Sequence, residues 1–550
     1  MNVRHALYLS TAMTGILFMA VADTKTVVRA TAMPPLSVEL PNDAGLTQAS
    51  GRTLRVGPDD SLQQALNQAG SGDIIELEAG ARYYGPFVLR QHAGPDWITI
   101  VSRSDNGLSL PDPGTRVSPS DAGAMATLVA SGTAVIKTDP AAARYRFIGI
   151  EIKPGNRGNV ANHVAGTRRT TTNLVELSSG DNSLAQMPHH IVFERSYLHG
   201  DPVYGTRRGV VMNGAHIAVI DSHLSGFKSM DDAQAVAGWE GTGPFLIRNN
   251  YLEAAGENLM FGGADPAIKH RVPSDISILG NHFSKPLSWQ RMHPSHDGST
   301  WTVKNLLELK NAQRVLIEGN LFEHNWAQSQ NGFAILFTVR NQDGGSPWSR
   351  VQDVTFTNNI VRHVGAGISI LGRDNLHRSH RSEHLTISNN LFYDIGDQWG
   401  NGRLFQLLNS PANIVINNNT AMQTDAIIWL EGDPIPGAQI RNNIFMHNST
   451  GISGTGTAPG TQSLNAYLES PAIITGNILI GADRTPYPDG IRRVRESAAV
   501  GFVNAGTSDY RLRAAADEHQ GASAEITPGV DFDLLCAALS VSERPAYCFP

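Results

Sequence analysis

Short runs of alternating apolar and polar residues recur along most of this chain, and most of them end in a turn built on asparagine. "HIAVIDSHLSG", "PFLIRNNYLEAAG", "DISILGNHFSKP", "RVLIEGNLFEHN", "DVTFTNNIVRHVG", "HLTISNNLFYDIG", "NIVINNNTAMQTD" and "AQIRNNIFMHN" all read as a strand, a turn and an apolar residue. The turn asparagines are Asn250, Asn281, Asn320, Asn359, Asn390, Asn419, Asn443 and Asn477, separated by 31, 39, 39, 31, 29, 24 and 34 residues. Periods of that size predict a solenoid or a propeller. A 24-residue repeat is too short for a four-stranded propeller blade, so the pattern predicts three-stranded parallel coils whose loops absorb the variation. Stacked coils place equivalent asparagines above one another, where their amides can form a hydrogen-bonded ladder. Tolerance of the left-handed conformation is the other reason to find Asn at such a turn.

A second set of strands precedes the asparagine turns: "RRGVVMNGA", "DDAQAVAGW", "ENLMFGGAD", "KNLLELKNA", "GFAILFTVRNQ", "GAGISILGRD", "GRLFQLLNS" and "DAIIWLEGD". These predict one parallel sheet with an inward and an outward face, the outward one a flat wall suited to an extended polymer. Upstream, Asp59, Asp60 and Ser61 cap a helix with an apolar face of Leu62, Ala65, Leu66 and Ala69, ended by Gly70 and Gly72. A strand starts at Ile74.

The N-terminus carries Arg4 and His5, an apolar run from Ala6 to Ala22, and Ala20-Val21-Ala22 as a small-residue cleavage site. Ser10, Thr11 and Thr14 interrupt the run, which favours a signal peptide over a membrane anchor and an exported or periplasmic protein cleaved after Ala22. The expected division is a signal peptide over 1–22, a linker over 23–53, a solenoid over 54–515 and a C-terminal tail over 516–550. The two cysteines, Cys536 and Cys548, both lie in that tail. Export favours a disulfide between them over two free thiols. The net charge of −7 argues against general nucleic-acid binding.

The capping helix, "GDIIELEAGARYYGPFVL" and the repeated asparagine turns resemble the right-handed parallel β-helix of the pectin-lyase-like superfamily, over about Leu54 to Arg513. The resemblance implies an all-β right-handed parallel β-helix. In it the N-terminal helix caps one open end, and the cysteine-bearing tail covers the other. It says little about chemistry, because this fold hosts lyases, hydrolases, epimerases and adhesins.

Candidate chemistry lies on the wall and its edge. Lys310, Arg340 and Arg373 end consecutive strands, so they fall near one level of coils about 4.8 Å apart. Like charges at that spacing repel, and an anionic ligand would relieve the repulsion. "LLELKNAQRVLIEGNLF" followed by "AILFTVRNQ" is similar to the alginate lyase and chondroitinase B family, where a strand-end Lys is followed one coil later by an Arg. There the Arg precedes His-Gly; here Asn341-Gln342 follows Arg340. That resemblance implies β-elimination on a uronic-acid polymer, with Lys310 as base and Arg340 as acid or charge neutraliser. It also implies Ca²⁺ held by carboxylates, for which Glu257, Glu308 and Asp265 are the candidates. Lys304, Arg373 and Asp374 are expected to contact the polysaccharide, and Trp289 and Trp301 to stack on its sugar rings. No organic cofactor is expected. A hydrolase is the alternative. Asp231-Asp232 matches the Asp pair of polygalacturonases, but Gly256-Glu257-Asn258 stands where that family has Gly-His-Gly. An epimerase or a non-catalytic polysaccharide-binding β-helix are further alternatives.

Overall fold

The computed structural model describes residues 35–41, 50–104, 107–155, 173–178, 183–482, 484–513 and 527–549. The expected signal peptide lies outside the described residues. None of the described helices is long and apolar enough to cross a membrane.

Among the described residues, all but one short antiparallel pair of strands form three long parallel sheets of 14, 12 and 14 strands, and each strand inside a sheet pairs with the equivalent strand one coil earlier and one coil later. The fold is a right-handed parallel β-helix. Its interior is built from columns of like residues, because register repeats from coil to coil. One column runs Ile247, Ile278, Ile317, Phe356, Ile387, Ile416 and Ile440, each directly opposite the next. All seven are buried. Each such side chain removed from water contributes roughly 1.5–3 kcal/mol, which offsets the chain entropy lost in ordering the coil. Phe283 stacks on Phe322 with ring centroids 4.4 Å apart.

The asparagine ladder forms as expected and runs from Asn250 to Asn477. In each step a backbone N–H and the side-chain Nδ2 both donate to Oδ1 of the next coil's asparagine; for Asn320 to Asn359 the distances are 2.9 and 3.0 Å. Ser222 and Ser196 continue the column below Asn250: Ser222 N donates to Asn250 Oδ1, and Ser196 N to Ser222 Oγ. The left-handed residue, however, is the one before each ladder asparagine. Asn249, Asn358, Asn389, Asn418 and Asn442 have φ of 53–55°, and Gly280, Gly319 and Gly476 take the same place in other coils. The ladder residue is selected for its amide, and its predecessor for tolerance of positive φ.

Helix α1 (Leu62–Gln68) caps the N-terminal end, with Ser61 Oγ accepting from Gln64 N and Leu62, Ala65 and Leu66 buried on the core. At the other end α2 (Thr461–Tyr467) places Leu464 in the same core. The tail departs from expectation: it runs back along the asparagine corner instead of covering the last coil. Gly529 N bonds Asn442 O, Asp531 N bonds Asn389 Oδ1, and Ser540 Oγ bonds Gly280 O. Farther along, Glu543 pairs with Arg116. Helix α3 (Phe532–Ala538) buries Leu535 against a stripe that includes Leu321, Ile360, Leu391 and Ile444. These apolar residues face outward after the turn, and the tail removes them from water. Cys536 and Cys548 form the expected disulfide, which folds the tail on itself.

Residues 35–41, expected as linker, instead lie across a sheet. Leu36 N bonds Asp275 Oδ1, and Val38 and Leu40 pack on an outward apolar patch of Val192, Ala218, Ile220 and Leu246.

Candidate functional site

The predicted wall exists. Residues Arg208–Met212, Gln234–Gly238, Glu257–Phe261, Asn305–Leu309, Phe333–Thr338, Ala366–Leu371, Phe405–Leu408 and Ile428–Glu431 are consecutive strands of the 12-stranded sheet. Its outward face is not open throughout. Every residue of Gln234–Gly238, Glu257–Phe261 and Asn305–Leu309 is buried. Thr302 ties two neighbouring loops together there, its N donating to Ser229 O and its Oγ1 to Met230 O.

A polar column is buried in this region. Arg208, Gln234, Glu257 and Asn305 are direct neighbours in register. Arg208 Nε donates to Gln234 Oε1 at 2.8 Å, and Gln234 Nε2 donates to Glu257 Oε2 at 2.7 Å. Lys304 Nζ lies 2.8 Å from Asp232 Oδ1 and 3.3 Å from Glu257 Oε1. Burial, the Asp232 charge and then the Glu308 charge push the Glu257 carboxyl up to about 8, so it is protonated at neutral pH. Burial also acts to raise Asp232, but hydrogen bonding from Glu257 and the Lys304 ammonium hold it well below the usual carboxylate range.

This arrangement has a signed consequence for stability. Glu257 is raised in the fold, so its contribution is fully present below the unfolded value near 4.5 and is lost as pH rises through about 8. Glu257→Gln keeps a neutral group that can still hydrogen-bond. The variant is expected to lose the downward slope of unfolding free energy between those pH values. It should be about 2 kcal/mol more stable than the parent near pH 8, an order-of-magnitude figure for one shifted group. Urea unfolding at a series of pH values measures this; parallel curves for the two proteins would refute it.

Several expected site residues have partners within the fold. Glu257, expected as a Ca²⁺ ligand, is fully buried and lies 3.3 Å from the Lys304 ammonium. Glu308 accepts from Thr338 Oγ1 and Asn305 Nδ2 and lies 3.8 Å from Lys310 Nζ. Asp265 accepts from Gly345 N in another loop. Among the described residues, Glu257, Glu308 and Asp265 do not bring three ligand atoms together, and Lys304 supplies the positive charge a cation would bring. Lys304, expected to contact the polysaccharide, pairs with Asp232 and Glu257. Trp289 and Trp301 are only 4% and 1% exposed, packed with Trp326 and Trp399, and Lys228 lies over both rings. Both, expected to stack on sugar rings, are packed inside the loops in this structure. Asp231 is exposed on its loop, and Asp232 is engaged as described.

Lys310 and Arg340 come together as their strand-end positions predicted. Arg340 N donates to Lys310 O at 2.9 Å, so the two residues sit at one level on adjacent coils. Both side chains are partly exposed, at 19% and 30%. Arg340 is held by Asp374 Oδ1 at 3.0 Å and by Asn375 Oδ1. Asp374 is itself nearly buried and takes backbone N–H groups from Asn341 and Leu376. Burial acts to raise its carboxyl, but those N–H groups and Arg340 hold it below the usual range. Asp374, expected to contact the polysaccharide, thus holds the Arg340 guanidinium in place. Nothing in the strand pattern marked it for that role; the signal was its place one coil above an arginine. Arg373, next to it, points to a separate cleft.

No family model matches this chain, and no curated protein matches it. Solved structures do, at the level of fold. The PL6 family alginate lyase AlyGC is 15% identical, with a TM-score of 0.49, over 80% of this chain and 53% of its own. This chain thus spans about half the length of AlyGC. A mannuronic acid specific family 6 polysaccharide lyase from human gut microbiota is 11% identical, with a TM-score of 0.48, over 81% and 91%. The catalytic unit of a GH87 α-1,3-glucanase from Streptomyces thermodiastaticus is 13% identical, with a TM-score of 0.45, over 84% and 71%.

Proposed function

We propose that this protein is a carbohydrate-active enzyme that cleaves a uronic-acid-containing polysaccharide by β-elimination. The observation that carries the reading is the pairing of Lys310 and Arg340 on adjacent coils, both partly exposed, with Arg340 aimed by a buried carboxylate. Elimination requires removal of the proton next to the sugar's carboxylate, and the negative charge of that carboxylate must first be offset. Arg340 can form charge-assisted hydrogen bonds to a carboxylate and is held in place to do so. In this reading Lys310 Nζ takes the proton. The C–H bond breaks toward Lys310, the electron pair forms the ring double bond, and the glycosidic oxygen leaves. The departing oxygen takes a proton from solvent water.

The alternative, inverting hydrolysis at Asp231 and Asp232, has less support. That chemistry needs two carboxyls about 6.5–9.5 Å apart with a water between them. Asp232 is occupied by Lys304 and hydrogen-bonds Glu257, while Asp231 stands exposed.

The test is incubation with a panel of uronate and neutral polysaccharides. Elimination produces an unsaturated uronide seen by its ultraviolet absorbance. New reducing ends without that chromophore would overturn the reading. Because Lys304 already supplies the cation beside Glu257, turnover is expected to stay within about twofold when a chelator is present, and added Ca²⁺ should not raise the unfolding temperature. Loss of turnover in chelator, restored by Ca²⁺, would return carboxylates of this region to a metal role.

A further inference from the structure

The loop from Gly372 to Ser382, beyond the wall strand that follows Arg340, carries Arg373, Arg378 and Arg381. The three line one cleft of about 570 Å³, with Trp348 and His270 as an aromatic wall and Glu383 as its only acid. That volume is ordinary for a small-ligand site. Among the described residues none of the three arginines forms an ion pair with a carboxylate, although thirteen other described arginines do. A buried Nε of Arg381 has no hydrogen-bond partner. An unpaired buried donor and three unneutralised guanidiniums around one cavity carry a cost that an anion would remove.

The backbone of the loop that carries the cations is tied down. Asp374 N donates to Ser379 Oγ, Asn341 Nδ2 donates to Arg378 O, His380 N donates to Ser349 O, and Ser382 N donates to Gly372 O. On the facing wall Trp348 Nε1 donates to Arg271 O, and the indole sits 4.8 Å from the His270 ring. This fixes an aromatic ring beside the guanidiniums. An oxyanion on a sugar ring matches both features: guanidinium forks take the carboxylate or sulfate, and the indole packs on the ring's C–H face.

We propose that this cleft is a binding subsite for a sugar residue bearing an oxyanion, distinct from the residue cleaved beside Lys310. Arg373 immediately precedes Asp374, which orients Arg340, so the cleft adjoins the proposed reacting pair. The oxyanion site stands on its own geometry. Only its place on a longer polymer, charged on more than one residue, rests on the proposed elimination.

Calorimetric titration with an oligouronate, a sulfated neutral oligosaccharide and its unsulfated parent tests the proposal. At least one anionic ligand is expected to bind, more weakly as salt rises, and the unsulfated parent is not. The double variant Arg378→Gln with Arg381→Gln should weaken that binding at least tenfold, with its unfolding temperature checked against the parent. If the chain proves not to be a lyase, these titrations still read the cleft. Equal binding of the unsulfated parent, no binding of either anion, or an unchanged affinity in the double variant would overturn the proposal. Which anion binds more tightly identifies carboxylate or sulfate as the group recognised.

Discussion

Lys310→Ala is expected to lower turnover on an acidic polysaccharide by about two to four orders of magnitude, the usual worth of a positioned general base. Folding should be preserved, since Lys310 ends a strand, is partly exposed and has only a 3.8 Å ion pair with Glu308. Lys310→Arg should rescue poorly, because a guanidinium holds its proton too tightly to act as a base. The pattern separates mechanisms. A hydrolase working through the Asp pair would lose activity in Asp231→Ala or Asp232→Ala, and in Lys310→Ala would mainly raise KM. Near-parental kcat for Lys310→Ala on a cleaved substrate would remove Lys310 from the chemistry. The same assay on Asp374→Asn tests orientation: if Asp374 only aims Arg340, kcat falls less than in Arg340→Ala.

Lys304→Met carries the largest expected loss of stability, about 3 kcal/mol, because it leaves Asp232 charged and largely enclosed, with Arg207 at 3.9 Å and the hydrogen bond from Glu257 remaining. Lysine and methionine are close in length, so the stem's packing is retained and the loss reports the charge. In an Asp232→Asn background the same substitution should cost well under half as much, which a double-mutant cycle in urea measures. A loss below 1 kcal/mol in the parent background would show that Lys304 is not the counter-ion the geometry describes. If Lys304 instead contacts the polymer, as the strand pattern first suggested, its effect would appear in KM with stability unchanged.

Much of the architecture follows from local pattern alone. Alternation of period two, a turn every coil and the asparagine spacing specify strands, coils and ladder together, because a solenoid's contacts are between equivalent positions of neighbouring repeats. The order of the wall strands and the column from Asn250 to Asn390 could be read for that reason. The capping helix was legible from Ser61 and its apolar stripe, and the adjacency of Lys310 and Arg340 from their matching places at strand ends.

What the sequence by itself could not decide were the matters that depend on what lies over a surface. Alternation shows that Glu257 and Lys304 point outward, but not that a loop tied down by Thr302 closes the space and makes an outward carboxylate a buried, protonated one. It shows that Trp289 and Trp301 are in loops, but not that those loops fold over one another. The path of the tail along the asparagine corner, and of residues 35–41 across a sheet, is likewise set by long-range burial of apolar patches. Periodicity reports a residue's face within its own coil. Burial, charge pairing and proton affinity are set by segments far away in sequence, and only the tertiary structure brings those segments into place.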